Sequence, residues 1–505
     1  MLCQIQISFN AFNVSITGIT QDLGIPATAV GTALTTGTFA MAGFILLGAK
    51  IGARIGIRRA FQIGVLVPAA AAFTIALAQS GPQLFIAQAI SGASVALSAP
   101  ALTVLIAKNY QGRQQAQAIG FFAAAIPLAQ VISLLVAGYF ASTIGWRWSF
   151  VLVGVIGLLN FGMSWLLKPI DSQAIKIDWP GAALSSAAII SISFGFSGLV
   201  AWGAWTATDQ APFNIVGLSP VPFFLLAGVL LLVLFLRQQS RRTGSVRLLN
   251  LKVVQGVKAH ATLIVMSLML FVGTAASFLM PLYMQVVVGL DGLQTSLSVV
   301  PYTISIFVAN TLVARLYDRF TPAQIARTGL WVVTLAFVWL AITILSSWGQ
   351  WAIIVGLVVL GLAQGCIVAL VFNTLLTMAP SDAAGDVGAV RGVTHNVSGS
   401  AGIAVASAIA VAILGGTVAG SVHASPNISS ATVEQIDFAG ANFLTDDQVA
   451  GLLESKGASE GEITAGIGYF ADARLNALSI TMLILGGLAF AASFAAGRMP
   501  RSTRE

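Results

Sequence analysis

Charged side chains are scarce in this chain of 505 residues. They make up 8% of the sequence, against about 25% in soluble globular proteins. By contrast, 57% of the residues are hydrophobic and the mean hydropathy is +0.91. This composition excludes a soluble globular protein and predicts an integral membrane protein.

Cysteine and histidine are scarce as well. The two cysteines, Cys3 and Cys366, lie far apart in apolar sequence, which favours packing residues over a disulfide. The three histidines, His260, His395 and His423, are scattered, and no nucleophile–base set or metal-ligand cluster accompanies them in the sequence. We therefore expect no enzyme activity, no cofactor and no metal site.

Cations outnumber acids, with 24 Lys and Arg against 17 Asp and Glu. They lie in short turns beside apolar runs, which is the pattern of membrane topology rather than of a nucleic-acid-binding face. With both termini cytoplasmic, only Arg147, Lys456 and Arg474 fall on the outer side. The positive-inside rule therefore predicts a multi-pass protein of the bacterial cytoplasmic (inner) membrane, with no nucleic-acid partner.

Fourteen apolar runs have the length of a membrane span, about 20 residues. They lie near 2–20, 29–49, 60–79, 82–106, 114–140, 149–167, 180–202, 215–236, 260–284, 293–314, 327–346, 351–378, 393–415 and 475–497. They predict an all-α membrane fold with a six-helix bundle at 1–170, a central extra helix pair with a basic connector at 171–258, and a second six-helix bundle at 259–505. The first run begins at Met1 with no cytoplasmic tail before it, which favours a misplaced start codon or a truncated record.

Residues 416–474 interrupt the second half on the predicted outer side. Thr445 with Gln448, and Ser459 with Glu462, have the spacing of capping boxes, in which each side chain accepts a hydrogen bond from the other residue's backbone. We therefore predict a small periplasmic helical excursion rather than a catalytic domain, with a short helix that ends before Gly457.

The stretch Gly48–Phe61, GAKIGARIGIRRAF, joins the second and third runs and carries four cations. It predicts a tight cytoplasmic turn, whose glycines let two helix ends approach closely. The stretch ARLYDRFT at 314–321 repeats its pattern, A-[KR]-[IL]-x-x-R-[IF]-x, at the corresponding place in the second half. We interpret the cations as a gate that hydrogen-bonds helix C-terminal carbonyls, with plain topology signalling as the alternative. The candidate gate residues are Gly48, Gly52, Arg54, Gly56, Arg58, Arg59, Arg113, Asp318 and Arg319.

Several stretches resemble the major facilitator superfamily, and in particular its 14-helix drug:proton antiporter branch. Gly48–Phe61 resembles the family signature between helices 2 and 3. Trp146–Phe150 (WRWSF) resembles the motif at the outer end of helix 5, and Pro281–Gln285 (PLYMQ) resembles the PLYxQ of the first helix in the second half. The resemblance covers essentially the whole chain. It implies a secondary transporter in the lipid bilayer that functions as a monomer on a small-molecule substrate. We interpret Trp146 and Trp148 as interfacial anchors.

Three positions that the family links to proton coupling or gating are neutral in this chain. The acid of the signature falls at Ala53, the acid of the first helix near Ser8, and the arginine of the fourth helix at Gln88. The antiporter motif of helix 5 is degraded to residues 133–138. Proton antiport needs a group that changes protonation inside the membrane, yet no Asp or Glu lies deep inside a predicted span. The possible titratable residues there are His260, Asp386, Arg391 and His395.

Neutral polar side chains form stripes along several predicted spans. Gln6, Asn10, Asn13 and Thr17 follow one another at helical spacing. Buried amides need hydrogen-bond partners, so we interpret these stripes as walls of a substrate cavity. For isolated Ser and Thr, bonding within or between helices is the favoured alternative. The candidate cavity residues are Gln6, Asn10, Asn13, Gln88, Gln130, Tyr283, Gln285, Asn310, Gln364 and Asn373.

The sequence therefore predicts a transporter that exports a neutral or weakly anionic amphipathic small molecule, by alternating access around a site at the membrane midplane. The missing acids argue against selection of organic cations. Two alternatives stay open. One is an uncoupled facilitator or importer, and the other is a non-transporting membrane interaction or sensor protein that retains the fold.

Overall fold

A computed structural model describes residues 1–109, 112–167, 177–208, 210–241, 248–249, 251–316, 319–346, 348–378, 384–423 and 443–500. Across these residues the chain is almost entirely helical. The α-helices are α1 Leu2–Val14, α2 Ile16–Leu23, α3 Ala27–Ile55, α4 Ile57–Ala76, α5 Gly81–Asn109, α6 Gly112–Thr143, α7 Arg147–Met163, α8 Trp179–Ala201, α9 Pro220–Arg241, α10 Val257–Leu282, α11 Gly292–Leu316, α12 Pro322–Leu345, α13 Gln350–Met378, α14 Ala384–His423, α15 Asp446–Ser455 and α16 Glu460–Ala496.

Eleven helical segments of the described residues are long and apolar enough to cross a membrane. They correspond to α3, α4, α7 to α14 and α16. The predicted all-α membrane fold is therefore confirmed, whereas the count of fourteen spans stays a prediction. The first predicted run is divided between α1 and α2, and the helices on the fourth and fifth runs, α5 and α6, are not among the eleven.

The helices pack in two groups joined by a pair. In the first group α3 packs against α5, α4 against α5 and α7, and α1 against α6. In the second, α12 packs against α13 and α16, α11 against α13, and α10 against α14. The extra helices α8 and α9 pack against each other, and α8 also contacts α3 and α14. The predicted boundaries at 170 and 258 stay a prediction, but these contacts follow the same division.

A hydrogen-bonded junction ties the extra pair to the connector after it. Asp178 precedes α8 and accepts a hydrogen bond from the Gly181 backbone at 3.1 Å and from Gln239 Nε2 at 2.8 Å. Gln239, near the end of α9, in turn accepts from the Leu248 backbone at 3.0 Å. On its other side α8 is joined to α3, because Ser186 Oγ donates to the carbonyl of Gly43 at 2.8 Å.

The loops lie at two ends of the molecule. We call the end with residues 24–26, 144–146 and 288–291 the upper end, which is the predicted outer side, and the end with Gly56 and residues 319–321 the lower end. Contacts of loop residues with the ends of neighbouring helices support the assignment, since Trp146 Nε1 donates to Asp22 at 2.9 Å and Ser142 Oγ donates to Asp291 at 3.0 Å.

The excursion before the last helix contains the predicted short helix. Both capping boxes are present, and α15 ends at Ser455. The extent of 416–474 stays a prediction; within it, α14 continues to His423 and α16 begins at Glu460. These helices extend past the apolar runs because helical hydrogen bonding continues where hydropathy falls, until a cap stops it. Residues 424–442 lie outside the described part.

Arg474 holds the excursion against α16. Its side chain is 2% exposed and bonds to the carbonyl of Leu444 at 2.6 Å and to the carboxylate of Asp446, which is 60% exposed. The buried guanidinium depends on both partners, because an unpaired buried charge is costly. Asp446 therefore stabilises the packing of the excursion against α16 although its own side chain is exposed.

We expect Asp446→Asn to loosen the excursion by about 1.5 kcal/mol, because a hydrogen bond to a charged group is lost from a buried cation. Lys456 is the first tryptic site after Arg391 in the sequence, so the rate of tryptic cleavage after Lys456 reports the loosening. Asp447→Asn is the matched control, since Asp447 lies in the same first turn of α15 and is exposed. Equal cleavage rates in the two variants would refute the role of Asp446.

Candidate functional site

At the upper end a glutamine of the second group is inserted into the first helix of the chain. The backbone turns out of helical geometry at Ser15, with φ −122° and ψ 20°, between α1 and α2. Gln285 Nε2 donates to the carbonyl of Asn13 at 2.7 Å, and the Thr17 backbone N–H donates to Gln285 Oε1 at 3.5 Å. One side chain thus replaces the bond that an unbroken helix makes between these two backbone groups.

The segment that carries Gln285 is itself irregular. Tyr283–Val287 forms a single π-helical turn at the end of α10. Such turns often occur at functional sites, because they displace side chains from the regular helical stripe. Gln285 is 5% exposed and Tyr283 8%, so both predicted cavity residues are buried, and Gln285 contacts the first group of helices.

A second contact at the upper end joins α6 to α11 through small residues. A Cβ on Gly138 would lie 2.6 Å from the carbonyl oxygen of Gly292, and Ser142 Oγ accepts the Leu293 backbone N–H at 2.8 Å. Gly138 is the terminal glycine of the degraded antiporter motif. It permits the close approach of two helices that belong to different groups.

The interpretation of Trp146 as an interfacial anchor is wrong. Trp146 is 4% exposed, and its ring packs edge-on against Phe150 with centroids 5.9 Å apart. Its hydrogen bond to Asp22 adds to the ion pair between Arg147 and Asp22. Trp148 is 52% exposed, as an anchor at the membrane surface requires.

A cavity of about 80 Å³ lies inside the first group of helices. Its polar lining comes from Gln4 and Ser8 of α1, Thr38 of α3, and Gln88 and Ser91 of α5. Gln4 also spans the group, because its Nε2 donates to the carbonyl of Val65 at 3.0 Å. The remaining lining is mostly apolar, so the cavity combines an apolar body with a few hydrogen-bonding groups, as small-molecule sites do.

The predicted polar stripe of α1 does not share one surface. Gln88 lies in the cavity, whereas Gln6, Asn10 and Asn13 do not line it. Asn10 Nδ2 instead donates to the backbone carbonyl of Gln130 on α6 at 3.4 Å. Asn13 Oδ1 is buried and has no hydrogen-bond partner among the described residues. Whether these residues contact substrate stays a prediction.

The sequence reasoning missed Gln4, Ser8 and Thr38 as wall residues. Gln4 and Ser8 are spaced four apart, and Gln88 and Ser91 three apart, so each pair shares a helix face. The sequence contains that spacing, but the longer stripe from Gln6 to Thr17 predicts a different face of α1 as the cavity wall.

The second group holds a polar network of its own. Tyr302 donates to Gln364 Oε1 at 2.6 Å and lies 3.4 Å from the hydroxyl of Ser277. Gln364 fills the space beside Gly273, where a Cβ would lie 2.3 Å from its Nε2. Asn310 and Asn373 are exposed on α11 and α13. The structure therefore brings Gln364 together with Tyr302 but not with the cavity beside Gln88.

At the lower end the glycines of Gly48–Phe61 have separate roles. A Cβ on Gly48 would lie 2.5 Å from the carbonyl of Ala96 on α5, and one on Gly52 would lie 3.2 Å from Ala60 on α4. Gly56 has φ 95°, a conformation that L side chains rarely adopt, and forms the turn itself. The prediction of close helix approach is borne out in geometry, although the tightest contact is with α5.

The cations of this turn make few contacts. Arg58 stacks on Trp165, with 5.0 Å from its guanidinium carbon to the ring centre. Arg54, Arg59 and Arg319 are exposed, and no hydrogen bond of their side chains to another described residue is present. The side chain of Arg113 and all of Asp318 lie outside the described residues. The gate stays a prediction.

Of the four possible titratable residues, two share one face of α14. Arg391 and His395 are one turn apart, and the guanidinium carbon of Arg391 lies 4.3 Å above the Phe372 ring of α13. His260 is exposed near the start of α10. The side chain of Asp386 is outside the described part.

A family model described as Major Facilitator Superfamily matches residues 1–403. A "Probable actinorhodin transporter" of Streptomyces coelicolor is 25% identical over 427 residues, which are 81% of this chain and 71% of that protein. A "Tetracenomycin C resistance and export protein" of Streptomyces glaucescens is 25% identical over 369 residues, 72% of this chain and 66% of that protein.

The fold is similar to that of solved transporters. A crystal structure of the POT family transporter PepTSo superposes with a TM-score of 0.64, covers 98% of this chain and 95% of that one, and is 12% identical. At this identity the likeness concerns the fold alone. The family model covers well over half of the sequence, and the helices, their two groups and the motif-bearing turns agree with it. The chain belongs to the Major Facilitator Superfamily.

Proposed function

We propose that this chain is a secondary transporter that exports a small organic molecule by alternating access. Two relatives are named as an actinorhodin transporter and as a tetracenomycin C resistance and export protein, which supports export. The observation that carries the proposal is the insertion of Gln285 into the break between α1 and α2. It joins the two groups at one end through hydrogen bonds that can be exchanged for bonds to water when that end opens.

We infer that the substrate is neutral or weakly anionic and amphipathic. The cavity between α1, α3 and α5 presents amide and hydroxyl groups on an otherwise apolar wall. A buried carboxylate would attract organic cations, but the described lining of this cavity contains none. The placement in the bacterial inner membrane with both termini cytoplasmic is part of the same proposal and rests on the distribution of Lys and Arg. Function as a monomer is also part of it and rests on the family resemblance alone.

An uncoupled facilitator is the second candidate. Ten of the eleven membrane-length segments have no Asp or Glu in their sequence, and the eleventh carries Glu460, Glu462 and Asp472 in its first thirteen residues, beside α15. A transporter without a carboxylate at membrane depth lacks the group that commonly couples transport to protons.

Flux across proteoliposomes tests the proposal. The probes are 2-naphthamide, 2-naphthoate and 2-naphthylmethylamine, which share one apolar body and differ in charge. We expect faster flux than in protein-free liposomes for the neutral and the anionic probe, and no acceleration for the cation. Rates equal to those of protein-free liposomes for all three probes would remove the proposed function.

An imposed pH gradient separates the two candidates. A proton-coupled exporter accumulates the neutral probe against its concentration gradient when the pH differs across the membrane. An uncoupled facilitator only equilibrates that probe, with or without the gradient. We use the neutral probe because its own distribution does not respond to pH.

A further inference from the structure

Arg391 lies on the part of α14 that passes between α3 and α10. Its neighbours fix the helix closely. A Cβ on Gly392 would lie 2.8 Å from Ile45 of α3, and the carbonyl of Gly399 accepts a hydrogen bond from Thr274 Oγ1 of α10 at 2.7 Å. The orientation of the face that carries Arg391 and His395 is therefore set by packing on both sides of it.

The guanidinium of Arg391 is stacked but not paired. It lies over the ring of Phe372 at 4.3 Å, and within the described residues it has no carboxylate or carbonyl partner. Stacking uses the face of the guanidinium and leaves its N–H groups free along the edges. These edges match the two oxygens of a carboxylate in a bidentate arrangement.

The side chains of Arg391 and His395 are accessible, and α3, α10 and α13 pack against the helix that carries them. Because three helices adjoin this helix, we infer that these accessible groups line a cavity between helices rather than the lipid face. His395 is one turn further along the same face and has no hydrogen-bond partner in the described part, so both residues present unused polar groups to one space.

An unpaired cation within a membrane-length helix is costly and commonly marks a functional site. Arg391 is the second residue of the segment Val390–Ser421, so a simple alternative is that it extends to the lower membrane surface. The stack on Phe372 and the surrounding protein argue against this, because an extended side chain would leave the ring and enter water.

We propose that Arg391, with His395 beside it, binds the carboxylate of an anionic small molecule that enters this cavity. The inference rests on the proposed transport function, because it names the substrate class of that transporter. It adds an anion-binding point in the second group of helices to the neutral cavity in the first.

The test measures binding of 2-naphthoate and 2-naphthamide to the full chain in nanodiscs of phosphatidylcholine. We expect the carboxylate to bind about tenfold more tightly than the amide, which corresponds to 1.4 kcal/mol. Arg391→Gln should remove this preference by weakening naphthoate binding about tenfold, whereas Arg391→Lys should retain part of it. Equal binding of the two probes to the unmodified protein, including no measurable binding of either, would overturn the proposal.

Arg327→Gln is the matched control. Arg327 is also an exposed arginine stacked on an aromatic ring, with 5.0 Å from its guanidinium carbon to Trp331, but it lies on α12. The proposal requires that this variant keep the carboxylate preference. An equal loss in both variants would show a general effect of positive charge and would also overturn it. If Arg391→Gln does not fold, the comparison of Arg391→Lys with Arg327→Lys serves the same purpose.

Two further measurements distinguish a small-molecule carboxylate from a lipid phosphate, and binding from transport. If the site holds a lipid phosphate instead, adding phosphatidylglycerol to the nanodiscs will abolish naphthoate binding and will stabilise the unmodified protein but not Arg391→Gln. That result would overturn the assignment to a small molecule. The proposed function is tested separately. A carboxylate preference in nanodiscs without any accelerated flux in proteoliposomes would support the binding site and contradict the transport function.

Discussion

Replacing Gly92 with alanine is expected to destabilise the protein more than any other glycine-to-alanine substitution in the first group of helices. A Cβ at this position of α5 would lie 1.9 Å from the carbonyl oxygen of Gly37 on α3 and 2.8 Å from its carbonyl carbon. Both atoms are backbone, so no side-chain rotation relieves the contact. Ordinary van der Waals separation would require the two helices to move apart by about 1.5 Å.

This movement would disturb the cavity as well as the packing. Gly37 and Gly92 both line the space that contains Gln88 and Ser91. Overpacking of this kind costs about 3 kcal/mol where backbone must shift. We therefore expect Gly92→Ala to lower the thermal unfolding midpoint in detergent and to abolish accelerated flux of 2-naphthamide.

Gly162→Ala is the matched control for this substitution. Gly162 lies within α7, and no heavy atom would come within 4 Å of a Cβ added there. Alanine has the higher helix propensity, by about 1 kcal/mol, so this variant should unfold at the same temperature as the unmodified protein or slightly above it. If Gly92→Ala and Gly162→Ala have the same thermal unfolding midpoint, the close approach of α3 and α5 is not a requirement of the fold.

Features set by neighbouring residues were the predictable part of this structure. The capping boxes at Thr445 and Ser459 begin helices where the sequence predicts them, since a cap depends on residues three apart. Gly56 forms the turn inside the predicted signature. The membrane class follows from composition alone, because long uncharged apolar runs need a bilayer.

The face of α1 that lines the cavity could not be predicted in the same way. A stripe from Gln6 to Thr17 assumes one unbroken helix, but the helix is interrupted at Ser15. No proline or glycine marks the break, and the side chain that occupies it, Gln285, is more than 260 residues away in sequence. Residues before the break therefore pack independently of residues after it, and periodicity cannot report a contact that depends on a distant helix.

Removing the Gln285 amide is expected to open the upper end. Gln285→Met keeps the length of the side chain but loses the bond to the Asn13 carbonyl and the bond from the Thr17 backbone. Each lost hydrogen bond costs about 1 kcal/mol. The closed arrangement would therefore be weakened by about 2 kcal/mol, which raises the population of the open one by roughly 30-fold.

Labelling of a buried cysteine reports this population. Ser296 is fully buried on α11, where its side chain fills the space next to Gly138 of α6. In a Ser296→Cys protein whose Cys3 and Cys366 are replaced by alanine, a membrane-impermeant maleimide can react only when these helices separate. Its rate is proportional to the open fraction when opening and closing are fast, so Gln285→Met should raise the rate by roughly 30-fold.

Gln294→Met distinguishes this effect from a general loss of polar contacts at the upper end. Gln294 lies on α11, and its side chain accepts the Asp291 backbone N–H at 3.2 Å, a bond confined to the start of its own helix. Because that bond does not cross between the two groups, its loss should leave the labelling rate of Ser296→Cys unchanged.

If both variants raise the rate equally, the upper end opens by loosening of its loops. If neither does, the small-residue contact between α6 and α11 closes it without Gln285. Only acceleration by Gln285→Met alone agrees with a glutamine that joins the two groups through the break in the first helix.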